Sequence, residues 1–471
     1  MRRRLAVGVA AALAAAALLP ASAVAHGLVG KQDLPIPRWL FAWAATVVLV
    51  VSFVALATLW PRPRLERTTE RRVLAVPAAL EVLCGALGVA AFAVTVYAGF
   101  AGTQTATANL MPTVVYVVFW VGIPFATLLL GDVFAAFNPW RAVARAAAWV
   151  FGRRGRAPAP LAYPAWLGRY PAALGILTFA WVELVYVNRD DPTKLAIMAL
   201  LYAAIQLVGM SLYGIEPWTR NADAFSVYFR LFSRLSPLHW RDRVLYARAP
   251  LSGAPALDAG AGTVAMLCVM IGTVSFDGLS QGAIWTGTGG IAPHLQQRFI
   301  NLGFSGEVAL EITFTIGLLV MVGLVSGVYR LGVLGMQSVR AGHTTPELSR
   351  RFVHSLIPIA LAYVIAHYFS LLTYQGQAMA YLVSDPLGNG SDVFGTATAT
   401  INYNVIGANG VWYVQVAALV LGHACGLTLA HDRALVVYER VRDATRSQYW
   451  MLAVMVAFTS LGLWLLSAAA Q

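Results

Sequence analysis

Apolar stretches long enough to cross a bilayer follow one another along this chain, and arginine fills every second connection while nearly avoiding the rest. This alternation limits the possible folds more than any motif, because it decides which connections share a face and so which residues can meet. A helix needs about 20 apolar residues to cross the hydrocarbon core. Ten segments qualify, at roughly 39–60, 74–100, 112–131, 171–187, 194–214, 260–278, 307–329, 352–374, 410–431 and 449–468. On one side, connections 61–73, 132–170, 215–259, 330–351 and 432–448 hold 25 basic residues. On the other side lie five, Lys31, Arg38, Arg189, Lys194 and Arg298. The positive-inside rule makes the arginine-rich side cytoplasmic. The expected fold is all-α, a polytopic transmembrane helical bundle of ten spans.

Composition agrees with a lipid solvent. Of 471 residues, 59% are hydrophobic and only 11% charged, against about 25% charged in soluble proteins. The net charge of +12 does not imply nucleic acid, because the basic residues sit in short connections beside apolar spans. Cys84, Cys268 and Cys425 all fall inside apolar spans, which argues against a disulfide framework and a cysteine metal site.

The N-terminus reads as a secretory signal peptide over residues 1–25. Arg2, Arg3 and Arg4 form a basic region, Leu5 to Leu19 an apolar one, and Ala23-Val24-Ala25 a small-residue cleavage site. Cleavage would leave a single membrane domain, 26–471, beginning at His26; an uncleaved anchor is the alternative. Either way residue 26 and the C-terminus lie outside.

Two cytoplasmic connections carry amphipathic pieces. Phe225, Tyr228, Phe229 and Phe232 recur at helical spacing with Arg230 and Arg234 displaced from them. Residues 134–151 carry Arg141 and Arg145 among Ala, Phe and Trp. Helices lying on the cytoplasmic membrane surface are expected near 134–151 and 219–235. The two connections also resemble each other. Gly131-Asp132 leads to Asn138-Pro139-Trp140-Arg141, and Gly214 leads to Glu216-Pro217-Trp218 with Arg220. This suggests a parallel repeat of the transporter kind, or merely interfacial Pro and Trp.

Apart from Lys194 at the first position of its span, no Lys or Arg falls inside a span, but acids and histidines do. An ionisable residue in hydrocarbon is a functional candidate by default. Glu183, Asp277, Glu311 and His367 are the candidate catalytic residues, all toward the outer leaflet. His26, His294, His367 and His423 are the candidate metal ligands, for a divalent metal such as copper or zinc. Each has a structural alternative: Glu311 snorkelling toward its helix end, Asp277-Gly278 as a helix exit. Gly422 and Gly426 around His423 form a small-residue face that admits a neighbouring helix closely. His423 is then either a packed histidine or a buried ligand facing His367. The outer segment 375–409, rich in Asn, Gly, Thr and Asp, is expected to cap the site. Its acids miss the EF-hand spacing, and the chain lacks a nucleophile elbow, a P-loop and a His-Glu-x-x-His motif.

Ala25-His26-Gly27 with Asp33-Leu34-Pro35, Asp132-Val133-Phe134 through Arg141, Phe394-Gly395-Thr396-Ala397, and Tyr413-Val414-Gln415-Val416 running through Gly422-His423 to His431-Asp432-Arg433-Ala434 stand together in this chain. In these stretches it resembles a family of multi-pass membrane proteins of high-GC bacteria, often labelled fenitrothion hydrolase. The resemblance implies a bacterial plasma membrane protein that hydrolyses lipophilic organophosphorus esters. Two other classes stay open: a transporter or channel for a metal ion, proton or small solute, and a structural partner in a membrane complex. The expected partners are the bilayer and a small lipophilic molecule or ion.

Overall fold

The computed structural model describes residues 38–66, 69–153, 160–339 and 342–469. The expected signal peptide and His26 lie outside the described residues. Apolar runs without backbone partners in lipid must close their hydrogen bonds internally, and the chain does so as helix. In chain order the principal helices are α1 (Arg38–Leu59), α2 (Ala78–Ala101), α3 (Leu110–Leu130), α4 (Pro139–Arg153), α5 (Tyr170–Leu184), α6 (Pro192–Tyr213), α7 (Ile215–Asn221), α8 (Ala224–Ser233), α9 (Thr263–Ser280), α10 (Ile291–Asn301), α11 (Gly306–Gln337), α12 (Thr345–Phe352), α13 (Ile357–Gln375), α14 (Ala408–Val437) and α15 (Val441–Ala469). Each of the ten apolar segments is helical, and among the described residues seven helices are long and apolar enough to cross a membrane. Exposed Val, Leu and Ile on α1, α2, α6 and α11 form the outward apolar face such a protein presents to lipid. The chain is an integral membrane protein of the helical type.

Between helices in lipid there is no hydrophobic drive to associate, so contact rests on close packing and polar bonds. Gly422 and Gly426 show the first device. A Cβ on Gly422 would lie 2.2 Å from the Ala362 Cβ, and one on Gly426 2.9 Å from the Ser355 carbonyl oxygen. Helix α13 packs along α14 there at a distance only glycine permits.

Asp223 shows the second. It is fully buried and caps the N-terminus of α8, accepting from the Ser226 backbone N–H. Its carboxylate also accepts from Trp140 Nε1 at 2.7 Å, Tyr202 Oη at 2.8 Å, Ser226 Oγ at 2.6 Å and Asn138 Nδ2 at 3.2 Å. The two Pro-Trp segments thus meet. Arg141 pairs with Glu216 at 2.8 Å, and Trp218 Nε1 donates to Gln206 Oε1. The Arg141 and Arg145 guanidiniums outweigh the opposing effect of burial and hold the Glu216 carboxyl below the usual range.

This network corrects one expectation. Helix α8 does not lie on the membrane surface with one face in water. All of its residues but Arg230 are buried, against α3, α5 and α13. Its aromatic stripe reads as amphipathic, yet the opposite face is small and apolar enough to be covered as well. Helix α4, by contrast, keeps an exposed face with Trp149, Val150 and Phe151.

The arginine-rich face also holds a small sheet that the sequence did not announce. Strands β1 (Arg71–Ala75), β2 (Leu238–Arg241) and β3 (Val244–Ala247) pair antiparallel in the order β1-β3-β2. Asp242 and Arg243 turn the β2–β3 hairpin at positive φ, where Asn-Gly or Asp-Gly is the usual signal. Nearby, the buried Asp432 carboxylate accepts from Trp60 Nε1 and the backbone N–H groups of Arg64 and Leu65, clamping the segment after α1 onto α14.

Replacing Asp223 by Ala would leave Trp140, Tyr202 and Asn138 donors buried without that acceptor, at about 3 kcal/mol or more. Thermal unfolding in detergent should show a large fall in midpoint for Asp223→Ala and a smaller one for Asp223→Asn. An unchanged midpoint for Asp223→Ala would contradict the assigned role.

Candidate functional site

Four helices converge on one polar cluster toward the arginine-poor face. Helix α5 brings Glu183 near its end, α9 brings Asp277, α13 brings His367 and Tyr368, and α3 brings Trp120. Asp277 Oδ2 lies 2.8 Å from His367 Nε2 and accepts from Tyr368 Oη at 2.9 Å. Asp277 and Tyr368 are buried, at 6% and 5% exposure, so their bond is shielded from water. Glu183 sits beside Asp277, Tyr368 and Trp120. Its Oε2, like Trp120 Nε1 and Tyr228 Oη, is buried without an aligned hydrogen bond among the described residues, although Tyr368 and Trp120 lie within reach of the Glu183 carboxyl. The charge of Arg189, in the connection after α5, reaches both Glu183 and Asp277.

Local structure explains why Trp120 reaches this point. Residues Val114–Gly122 of α3 are π-helical, and Ile123 N–H bonds to Val118, five residues back. Pro124 carries no N–H, so the Trp120 carbonyl loses its α-helical donor and the preceding turn widens. The Trp120 ring stacks on Tyr228 of α8, with centroids 4.8 Å apart and planes 18° apart. It also tilts against Phe179, one turn from Glu183 on α5. The buried helix α8 therefore supplies an aromatic wall to the cluster.

The remaining candidates divide sharply. Glu311 accepts from the Val187 backbone N–H at 3.2 Å and so lies at the rim, tied to the connection after α5. His294 is exposed on α10, with no contact to the cluster among the described residues. His423 is fully buried, but its Nδ1 lies 2.8 Å from the Leu419 carbonyl and its ring is beside Tyr363 at 6.0 Å, not beside His367. No group of three or more His, Cys, Asp or Glu side chains able to hold a metal ion occurs among the described residues. Asp277 and His367 form a pair that His294 and His423 do not join, and His26 lies outside the described residues.

The outer segment 375–409 uses its own acids for its own turns. Asp385 accepts from the Asn389 and Gly390 N–H groups and from Ser391 Oγ. The Ser384 hydroxyl and the Ala397 N–H hold the Asp392 carboxyl below the usual carboxylate range. Oxygens engaged in this way need no bound cation.

Of the cluster, sequence reasoning found Glu183, Asp277 and His367 and missed Tyr368, Trp120 and Tyr228. Tyr368 directly follows a candidate histidine, which was an available signal. Tyr228 belongs to an aromatic stripe whose spacing suits a surface helix, which hides its place in the cluster. Comparison with protein-family models, curated proteins and solved structures gives no match.

Removing one partner from a buried pair strands the other charge, at about 3–5 kcal/mol. His367→Leu and Asp277→Leu should each lower the unfolding midpoint strongly, whereas the double variant Asp277→Leu, His367→Leu should cost far less than their sum. Additive effects in that cycle would show that the 2.8 Å pair carries no interaction of its own.

Proposed function

We propose that this protein handles protons inside the membrane, as a proton-coupled carrier of a small solute, with Glu183, Asp277, His367 and Tyr368 as the protonatable cluster. One observation carries this reading: Asp277 and His367 lie 2.8 Å apart among apolar helices, beside the buried Glu183 carboxyl. Ionisable groups at such depth are costly and mark ion or proton paths in membrane proteins. Two carboxyls and one imidazole share the space, and low dielectric favours a neutral total. Two protons among the three groups give neutrality, so gain or loss of a proton at one group alters the others. Trp120 Nε1, Tyr228 Oη and Glu183 Oε2, none in an aligned bond, supply donors and an acceptor for a water or polar solute.

In this reading the ten apolar helices all span, the arginine-rich face is cytoplasmic, and both mature termini lie outside. Cysteines introduced at exposed Thr400 and Ser338, in a background lacking Cys84, Cys268 and Cys425, test the orientation. A membrane-impermeant maleimide applied to intact cells should label Thr400→Cys and spare Ser338→Cys. The reverse pattern would invert the topology.

Proton handling is tested without knowing the solute. Reconstituted protein on a solid-supported membrane, given a pH jump, should produce a transient current from protonation within the membrane field. Glu183→Gln and Asp277→Asn should each reduce it several-fold. Currents equal to wild type in both variants would refute the proposal.

A second reading rests on the same pair. An imidazole held by a carboxylate is the arrangement that activates a water for ester hydrolysis, which keeps the organophosphorus hydrolase expectation open. Turnover of an aryl phosphorothioate that is lost in His367→Ala would favour it.

A further inference from the structure

A second built site lies on the arginine-rich face, about 20 Å along the continuous α12–α13 segment from His367. It is a cavity of about 290 Å³ with Arg350, Arg351, Arg433 and His354 among its lining residues and Glu347 as its acid. Loop residues Pro255, Leu257 and Ala259 close one wall with apolar surface.

We propose that this cavity binds a phosphate group, either as a free phosphate compound or as a lipid headgroup. The donors outnumber what the protein itself uses. Arg351 spends one nitrogen on Glu347 at 2.9 Å. Arg433 forms an ion pair with Glu66, its Nε 3.1 Å away without an aligned hydrogen bond, and spends one terminal nitrogen on the Pro255 carbonyl at 2.7 Å. Each guanidinium has five N–H donors, so both keep donors in reserve. Arg350 is exposed and has no ion pair among the described residues.

His354 is the independent observation. It is 2% exposed and lines the cavity, and its Nε2 makes no aligned hydrogen bond among the described residues, with the Arg351 and Leu429 backbones close to the ring. A buried ring nitrogen without an aligned bond is costly unless something else completes its bonding. With its proton on Nε2, the imidazole donates to an anion oxygen. Three guanidiniums and one imidazole approach from two backbone segments, residues 350–354 and the last turns of α14, opposite the 255–259 wall that Arg433 ties down. Donors from several directions suit a tetrahedral oxyanion better than a planar carboxylate, which two parallel bonds satisfy.

Two probes separate the sources. Inorganic phosphate is titrated calorimetrically into the detergent-purified full chain. Separately, the protein in nanodiscs of mixed phosphatidylglycerol and phosphatidylcholine is released into native mass spectrometry to read retained lipid. Arg350 is exposed, so Arg350→Gln should fold normally, and His354→Phe keeps the ring volume. Phosphate binding that falls about tenfold in both variants supports a site for free phosphate compounds. Selective phosphatidylglycerol retention that both variants lose supports a headgroup site. Neither phosphate binding nor selective retention in wild type, or binding that both variants preserve, overturns the proposal.

Discussion

A polar group carried into hydrocarbon must find its partners within the protein, and the buried carboxylate of Asp223 does so for a whole subdomain. Its acceptors draw in Trp140 and Asn138 after α3, Tyr202 from α6 and the first turn of α8. Those bonds hold α8 inside the bundle instead of on its surface. Helix α8 then presents Tyr228 to Trp120, and Trp120 stands beside Glu183. The chain of contacts runs from a capping carboxylate near the arginine-rich face to the protonatable cluster near the other.

The span pattern was legible because it depends on runs of about 20 residues, each of which must satisfy its own backbone. The pairing of Asp277 with His367 was legible only as a shared leaflet. Side follows from the arginine count, but contact follows from packing, and Gly422 and Gly426 decide that α13 lies against α14 rather than elsewhere. Helix α8 was misplaced because an aromatic stripe with arginines beside it looks the same whether water, lipid or protein covers the far face. The π-helical stretch has one faint sign, Pro124, and the sheet has none stronger than an Asp-Arg turn. His294 and His423 were grouped with His367 by leaflet and residue type alone; one is exposed on α10 and the other bonds its own helix.

The two faces divide the chemistry. On the arginine-poor side, acids and a histidine are held close together without an intramembrane cation, which suits proton exchange. On the arginine-rich side, guanidiniums and a buried imidazole line an open cavity, which suits a phosphate group. One continuous helical segment, through α12 and α13, carries His354 to the second site and His367 to the first.

Difference infrared spectroscopy of the protein in lipid, between acidic and alkaline buffer, tests the proton-handling cluster most directly. The account predicts a carboxyl C=O band that appears and disappears with pH in the wild type and is missing or shifted in Glu183→Gln. Spectra in which Glu183→Gln and Asp277→Asn both match the wild type would contradict it.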